Sequence, residues 1–389
     1  MSTKNQSKKG KKRVRQKVNI FPEAGMYIHV PFCISKCKYC DFYSLTNKEE
    51  LIPEYVKRLK NALEYYRNRY ARRYNSLYFG GGTPLLLGEE HLCDIMASAA
   101  PLLSKRAEVT AEGNPAAGGK IDFGALKAAG INRISLGLQS SNERELAALG
   151  RIHSPKDAED TVKAAQRAGI ENISLDIMIG IPYQTKESLI ESARFCAALG
   201  AKHISAYMLK IEEGTPLALS PLRLLCAGED ETAELYLALC GELSRLGFEQ
   251  YEISNFAKPG FESRHNLKYW RCEEYLGIGP AAHSFMEGRR FYFDRDINEF
   301  MTKPFGEQER EEGSGGGAEE FAMLRLRLTE GLDTAELAEK YPDANAEGIL
   351  RRAALYVPAG LVNIEGKRIS FTPKGFLLSN TLTAEILYE

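Results

Sequence analysis

Residues Tyr27 to Ser44 read YIHVPFCISKCKYCDFYS. Three cysteines, Cys33, Cys37 and Cys40, fall within eight residues at the spacing C-x3-C-x2-C. So short a loop can curl three thiolates around one soft metal centre. Iron–sulfur clusters are held by cysteine thiolates, usually four. The next cysteine, Cys93, lies far outside the loop. Three thiolates therefore leave one iron of a [4Fe–4S] cube without a protein ligand, and an open position admits a small molecule to the metal. Zinc is the rival, although its sites favour a C-x2-C pair answered by a second, distant pair. The plainest alternative is three chance cysteines in an oxidisable loop. Spacing and flanking aromatics favour the cluster.

Outward from this stretch, strand-like runs alternate with helical patterns. The candidate strands are Met26–Val30, Ser76–Phe79, Glu108–Ala111, Arg133–Gly137, Asn172–Ile177 and His203–Met208. Each is short, apolar or β-branched, and followed by a turn or helix. The helices between them are amphipathic. In Thr232–Leu246, Leu235, Leu239, Leu243 and Leu246 share one face, with Gly247 placed as a cap. Such alternation implies a parallel sheet with outer helices, and six units rather than eight suggest an open, partial (β/α) barrel.

In such barrels functional residues sit at the carboxyl ends of strands. Polar residues recur there: Gly80-Gly81-Gly82-Thr83-Pro84 after the second run, Glu112 after the third, Gln139 and then Arg151 after the fourth, and Asp176 in the fifth. Each has an ordinary reading. The glycines make a tight turn, a carboxylate caps the next helix, and an arginine forms a surface ion pair. Together they converge on one mouth.

C-x3-C-x2-C after a strand resembles the signature of the radical S-adenosylmethionine (SAM) superfamily, and YIHVPFC…KCKYCDFYS is similar to its HemN/HemW group. The resemblance implies a partial (β/α)6 barrel followed by a small winged-helix-like domain. It implies that Cys33, Cys37 and Cys40 hold a [4Fe–4S] cluster whose open iron is chelated by SAM, and that the reduced cluster splits off a 5′-deoxyadenosyl radical. It implies SAM contacts at Tyr27, Gly81, Gly82, Thr83, Glu112, Gln139, Arg151 and Asp176. The family usually follows GGGTP with a small hydroxyl residue, where this chain has Leu85.

Two features divide the group. HemN-type oxidases extend the motif to C-x3-C-x2-C-x-C, whereas Phe42 follows Asp41 here. The run YEISNFAKPGFESRHNLKYW ends in HNLKYW, His265 to Trp270, which fits the HNxxYW motif that HemW proteins use for heme. On that resemblance His265 is an axial ligand, and Tyr269 and Trp270 stack on the porphyrin. Read without it, the stretch is a packed aromatic turn around a hydrogen-bonded histidine. The implied function is a heme chaperone, with heme and heme-dependent acceptor proteins as partners. The alternative is an oxygen-independent coproporphyrinogen III oxidase. His29 and His283 lie in family-like strings without assigned chemistry.

At 389 residues, 44% hydrophobic and 26% charged, the chain has the composition of a globular protein of two or three domains. Its formal net charge of −1 points to no nucleic acid partner. Eight cysteines without a signal-like segment suggest a reducing, cytoplasmic setting. Residues 1–18 carry eight Lys/Arg and no acid, so a disordered tail is expected, with at most weak membrane association. The barrel is expected over 19–247 and an aromatic-rich extension of that barrel, carrying the HNLKYW motif, over 248–305. The acidic, glycine-rich residues 306–320 read as a linker, and 321–389 as the winged-helix-like domain.

Overall fold

A computed structural model describes residues 23–119 and 121–388; the basic tail 1–18 lies outside them. All six expected strands form. They are β1 (Ala24–Val30), β2 (Tyr74–Gly81), β3 (Leu103–Gly113), β4 (Arg133–Gln139), β5 (Asn172–Ile179) and β6 (His203–Met208). Six more follow: β7 (Glu249–Gln250), β8 (Asn255–Ala257), β9 (Tyr275–Ile278), β10 (His283–Met286), β11 (Arg289–Tyr292) and β12 (Arg310–Ser314). All twelve make one open sheet in the order β12-β11-β10-β9-β1-β2-β3-β4-β5-β6-β8-β7. The stretch from β9 to β6 is parallel throughout, and antiparallel strands extend it on either side.

Successive side chains of a strand point to opposite faces. On β1, Ala24, Met26, Ile28 and Val30 face outward and are almost wholly buried. They pack under α1 (Ile52–Tyr70), whose Val56, Leu59, Leu63 and Tyr66 recur at helical spacing. Burying each such side chain contributes about 1.5–3 kcal/mol. The helices α2 (Gly88–Ala99), α3 (Pro155–Arg167), α4 (Lys186–Ala198) and α5 (Glu229–Arg245) cover the same outer face further along. The expected helix of Thr232–Leu246 is α5, and Gly247 follows its end at φ +77°.

The inner face is polar. Ser135 donates to Asp176, and Tyr78 donates to Glu112 at 2.7 Å. Polar groups are tolerated there because they hydrogen-bond one another. At the far end of this interior, α6 (Arg264–Trp270) lies against β1 and β2.

One expectation for the second half changes. The region 248–305 carries β7 to β11, which continue the main sheet. Its parallel strand β9 escapes a sequence reading because YLGI is short and Gly277, opposite Tyr27, breaks any alternation. Residues 306–320 are not a free linker. Arg310–Ser314 pairs with β11 as β12, and a helix starts at Ala318. Backbone pairing outweighs the glycine-rich composition here.

The C-terminal residues build helices at Ala318–Arg325, Thr334–Lys340, Ala346–Ala354, Pro373–Leu377 and Ser379–Tyr388. With them goes an antiparallel sheet of β13 (Leu332–Asp333), β14 (Val362–Glu365) and β15 (Arg368–Phe371), β15 in the middle. Among the described residues no helix is long and apolar enough to cross a membrane.

Candidate functional site

The carboxyl ends of the parallel strands open on a cavity of about 490 Å³. Cys33, Cys37 and Cys40 line it, together with Gly81, Gly82, Thr83, Glu112, Gln139, Arg151 and Asp176. The topology therefore gathers into one pocket groups that come from five different strand ends.

The cysteine loop is held by backbone bonds. Phe32–Cys33 pairs with Leu45–Thr46, and Cys40 N donates to Cys37 O at 3.2 Å. Lys38 N donates to Leu149 O at 3.0 Å, and its own carbonyl accepts from Leu217 N at 2.8 Å. The glycine run is sewn to the strand before the loop. Gly82 N donates to Val30 O and Thr83 N to Phe32 O, both at 2.8 Å. A Cβ on Gly82 would stand 2.6 Å from Phe32 O, so only glycine allows this approach.

Around the thiols, Cys33 Sγ is 3.5 Å from Thr83 Oγ1, and Arg151 Nη1 donates to Cys37 Sγ at 3.2 Å. Arg151 also donates to Gly137 O. Burial pushes the Cys33 and Cys40 thiols up. A bound cation reverses that logic, because a coordinating thiol is deprotonated outright. Among the described residues no three His, Cys, Asp or Glu side chains converge tightly enough to hold a single ion. A cube asks for something different, one thiolate for each of three irons.

Deeper in the pocket the acids are strongly perturbed. Burial, and next the neighbouring Asp176 charge, raise Glu112 to about 7, although Tyr78 Oη and Gly81 N both donate to it. Burial likewise raises Asp176, opposed by bonds from Ser205 and Ser135 and by the charges of Arg133 and Arg151. Gln139 is held at φ +70°, a left-handed conformation costly for a side-chain-bearing residue. Its Oε1 and Arg151 Nε are buried without partners among the described residues. Unsatisfied buried polar atoms and acids that burial makes costly to ionise without a partner suit a pocket completed by a polar, cationic ligand. The three thiols, the glycine cradle and these orphaned atoms thus fit a cluster and SAM.

Tyr27 is not part of the lining. It stands beside it, 3.1 Å from His29 Nδ1 through its hydroxyl and stacked near Tyr78 and His265. Sequence reasoning missed Tyr39, Ser135 and Tyr207, which also line the cavity. The position of Tyr207 near the end of β6 was the available signal for it.

The HNLKYW residues lie elsewhere. His265 was expected to offer a free imidazole to iron, but it is buried at the end of the barrel interior. Its Nδ1 is 3.0 Å from Ser76 Oγ, its Nε2 2.8 Å from Tyr269 Oη, and its backbone N donates to Glu108. Burial lowers it to about 3, with the Lys268 charge adding to the effect. Tyr269 packs edge-on against Tyr275 at 4.5 Å, while the half-buried Trp270 carries the Arg327 guanidinium 5.7 Å above its ring. The helix turns Tyr269 toward His265 and Trp270 away from it, so the three do not share one open face.

The model of the radical SAM superfamily matches residues 27–196, and that of the HemN C-terminal domain matches residues 318–378. Proteins named heme chaperone HemW are similar over nearly the whole chain. That of Mycobacterium tuberculosis is 34% identical over 93% of this chain and 94% of its own length. Those of Bacillus subtilis (34%, 93% and 99%) and Escherichia coli (35%, 86% and 93%) agree. Among solved structures, coproporphyrinogen III oxidase (HemN) from Escherichia coli, a radical SAM enzyme, superposes with a TM-score of 0.80. It covers 95% of this chain and 92% of its own at 19% identity, a likeness of fold. With a cysteine loop, a glycine cradle and relatives of matching length, this chain belongs to the HemW family within the radical SAM superfamily.

Proposed function

We propose that this chain is a cytoplasmic heme chaperone, binding heme and passing it to heme-dependent proteins such as respiratory enzymes. Cys33, Cys37 and Cys40 hold a [4Fe–4S] cluster, and the surrounding rim takes SAM. The observation that carries the reading is identity of 34–35% to proteins named heme chaperone HemW over most of both chains. When bound, the cluster supplies an electron and an open iron for SAM. The chain's own residues bind and orient. Arg151 stands ready for a carboxylate, Glu112 and Asp176 for an amino group and ribose hydroxyls, and the glycines admit a ligand close to the backbone. The domain at 321–389 is read as winged-helix-like and as a surface for protein partners rather than nucleic acid.

Anaerobic titration with hemin, followed by absorption, tests the central claim. Saturable growth of a Soret band is expected, and its absence would overturn the proposal. The SAM pocket is tested separately. Glu112→Ala, Arg151→Ala and Asp176→Ala should each weaken SAM binding by about 1–3 kcal/mol, the scale of a lost charged hydrogen bond. Calorimetry on protein of unchanged iron content reads this, and three unaltered affinities would move SAM elsewhere.

A coproporphyrinogen oxidase is the second reading, favoured by the likeness of fold. Against it, Phe42 occupies the place of the oxidase's extra cysteine and is 68% exposed at the pocket edge. No useful anaerobic turnover of coproporphyrinogen III with SAM and a reductant is expected. Clear formation of protoporphyrinogen IX would reverse the preference.

A further inference from the structure

Strand β2 sends Tyr78 and Gly80 to the same face of the sheet, because they stand two residues apart. Tyr78 does not line the pocket, but its hydroxyl donates at 2.7 Å to Glu112 Oε1, and Glu112 does line it. The second carboxylate oxygen accepts from Gly81 N at 3.2 Å. Two donors from one strand thus fix how the carboxyl group of the next strand is turned. Gly80 keeps the space for this arrangement. A Cβ there would stand 2.8 Å from Tyr27 Cε2, 3.1 Å from Tyr78 Cε1 and 3.3 Å from Glu112 Oε2, so no larger residue fits without moving the Tyr27 ring.

The Tyr78 ring is itself held. It stacks on His265 at 5.2 Å with 27° between the planes, and on Tyr27 at 6.3 Å with 26°. Ser76 and Tyr269 fix His265 through both of its nitrogens, as described above. The hydroxyl is therefore aimed before any ligand arrives, and a group placed in advance gives up little freedom on binding.

A phenol donating to a carboxylate is also an ordinary way to satisfy a core hydroxyl. Tyr66 makes such a bond to Glu309 at 3.0 Å, away from the pocket. There the carboxylate already has a cation, since Arg69 pairs with Glu309 at 2.8 Å. Glu112 has no ion pair among the described residues, although it is oriented from two sides and faces the cavity. An oriented carboxylate that lacks a cation is set up to receive one from a ligand.

We infer that Tyr78 is a positioning residue for SAM, turning the Glu112 carboxylate toward the cationic ligand without touching that ligand itself. The inference rests on the SAM reading of the rim. Besides Tyr78, the charged and titratable groups facing Glu112 are Asp176 on β5 and Arg133 on β4, with the hydroxyls of Tyr27, Tyr207 and Tyr269 from β1, β6 and α6. A hydrogen bond to the charged form of an acid favours that form.

The test titrates the full chain, carrying its cluster, with SAM by calorimetry. Tyr78→Phe keeps the ring and its stacking and removes only the hydroxyl. SAM affinity should fall about 10-fold, the scale of one hydrogen bond to a charged acceptor, at unchanged iron content. The loss of affinity on acidification through neutral pH should set in at higher pH than in the wild-type chain, because Glu112 then holds its proton more firmly. In Glu112→Gln, adding Tyr78→Phe should cost less than about 2-fold, since two changes to one interaction do not add. Tyr66→Phe should leave affinity and pH profile as they are. Wild-type affinity and an unmoved profile in Tyr78→Phe would overturn the inference while the SAM reading stands. So would an equal loss in the Glu112→Gln background, which would make Tyr78 a general support of the fold. If the wild-type chain with its cluster binds no SAM, the reading and the inference fall together.

Discussion

Replacing Cys33, Cys37 and Cys40 together by serine should leave anaerobically reconstituted protein colourless and without iron, against about four irons per wild-type chain. The three thiols line one cavity on one short loop. A cube cannot recruit substitutes easily. Cys196 and Cys272 are buried, and Cys93, Cys226 and Cys240 do not line the pocket. Serine removes the soft donor while keeping size, and the loop's backbone bonds through Leu45, Lys38 and Cys40 remain. The variant should therefore fold with wild-type secondary structure. Iron and colour retained in the triple variant, or one equivalent of zinc bound by the wild-type chain instead, would end the cluster assignment.

That same triple-serine variant should lose stability steeply as the pH drops from about 6.5 to 5. Burial lowers His29 and His153 to about 4 and His265 to about 3, and lowers His203 well below its usual value. Below pH ~6.5 the unfolded chain protonates these four rings while the folded chain refuses the protons. Each ring's contribution is complete above that pH and is lost on acidification toward its folded value. Three buried acids oppose this. Glu112 and Glu252 are raised to about 7 and Asp176 is raised as well, chiefly by burial, so their contribution is present at low pH and lost as the pH rises. Between pH ~4.5 and 6.5 the unfolded state holds about four extra protons and the folded state about two to three. The net of about one to two gives a slope of ~1.4–2.7 kcal/mol per pH unit. Against a total of about 5–15 kcal/mol, that is a large loss. Urea midpoints at the two ends of the range read it directly, and Glu112→Gln should steepen the fall by removing one opposing proton. A midpoint that stays level or rises on acidification would contradict it.

The barrel was legible because its strands carry two signals at once, an apolar outer face and a polar residue at the carboxyl end. Tyr78 and Glu112 show why the pocket could be read: side chains on consecutive strands, 34 residues apart, meet because neighbouring strand ends must. The cysteine spacing needed no fold at all. What was not legible depended on partners distant in sequence. Whether His265 faces solvent or core is decided by Ser76 and Glu108, which lie more than 150 residues away. Nothing in HNLKYW announces them. His283 likewise meets Glu312 only because residues 310–314 join the sheet.

Those residues bear on a different matter, the fate of the sheet's two margins. An unclosed sheet presents rows of unpaired amides and carbonyls at which a second chain can add a strand. One margin is β7, only two residues long, which leaves little template to copy. The other is β12, whose sequence REEGS puts two adjacent carboxylates and a left-handed glycine at φ +117° along the border. A second copy laid edge to edge there would bring like charges together and meet a kinked ladder. The acidic, glycine-bearing composition of this segment is thus that of a guarded border, and it explains how so broad a sheet can end in water without inviting fibrous self-association.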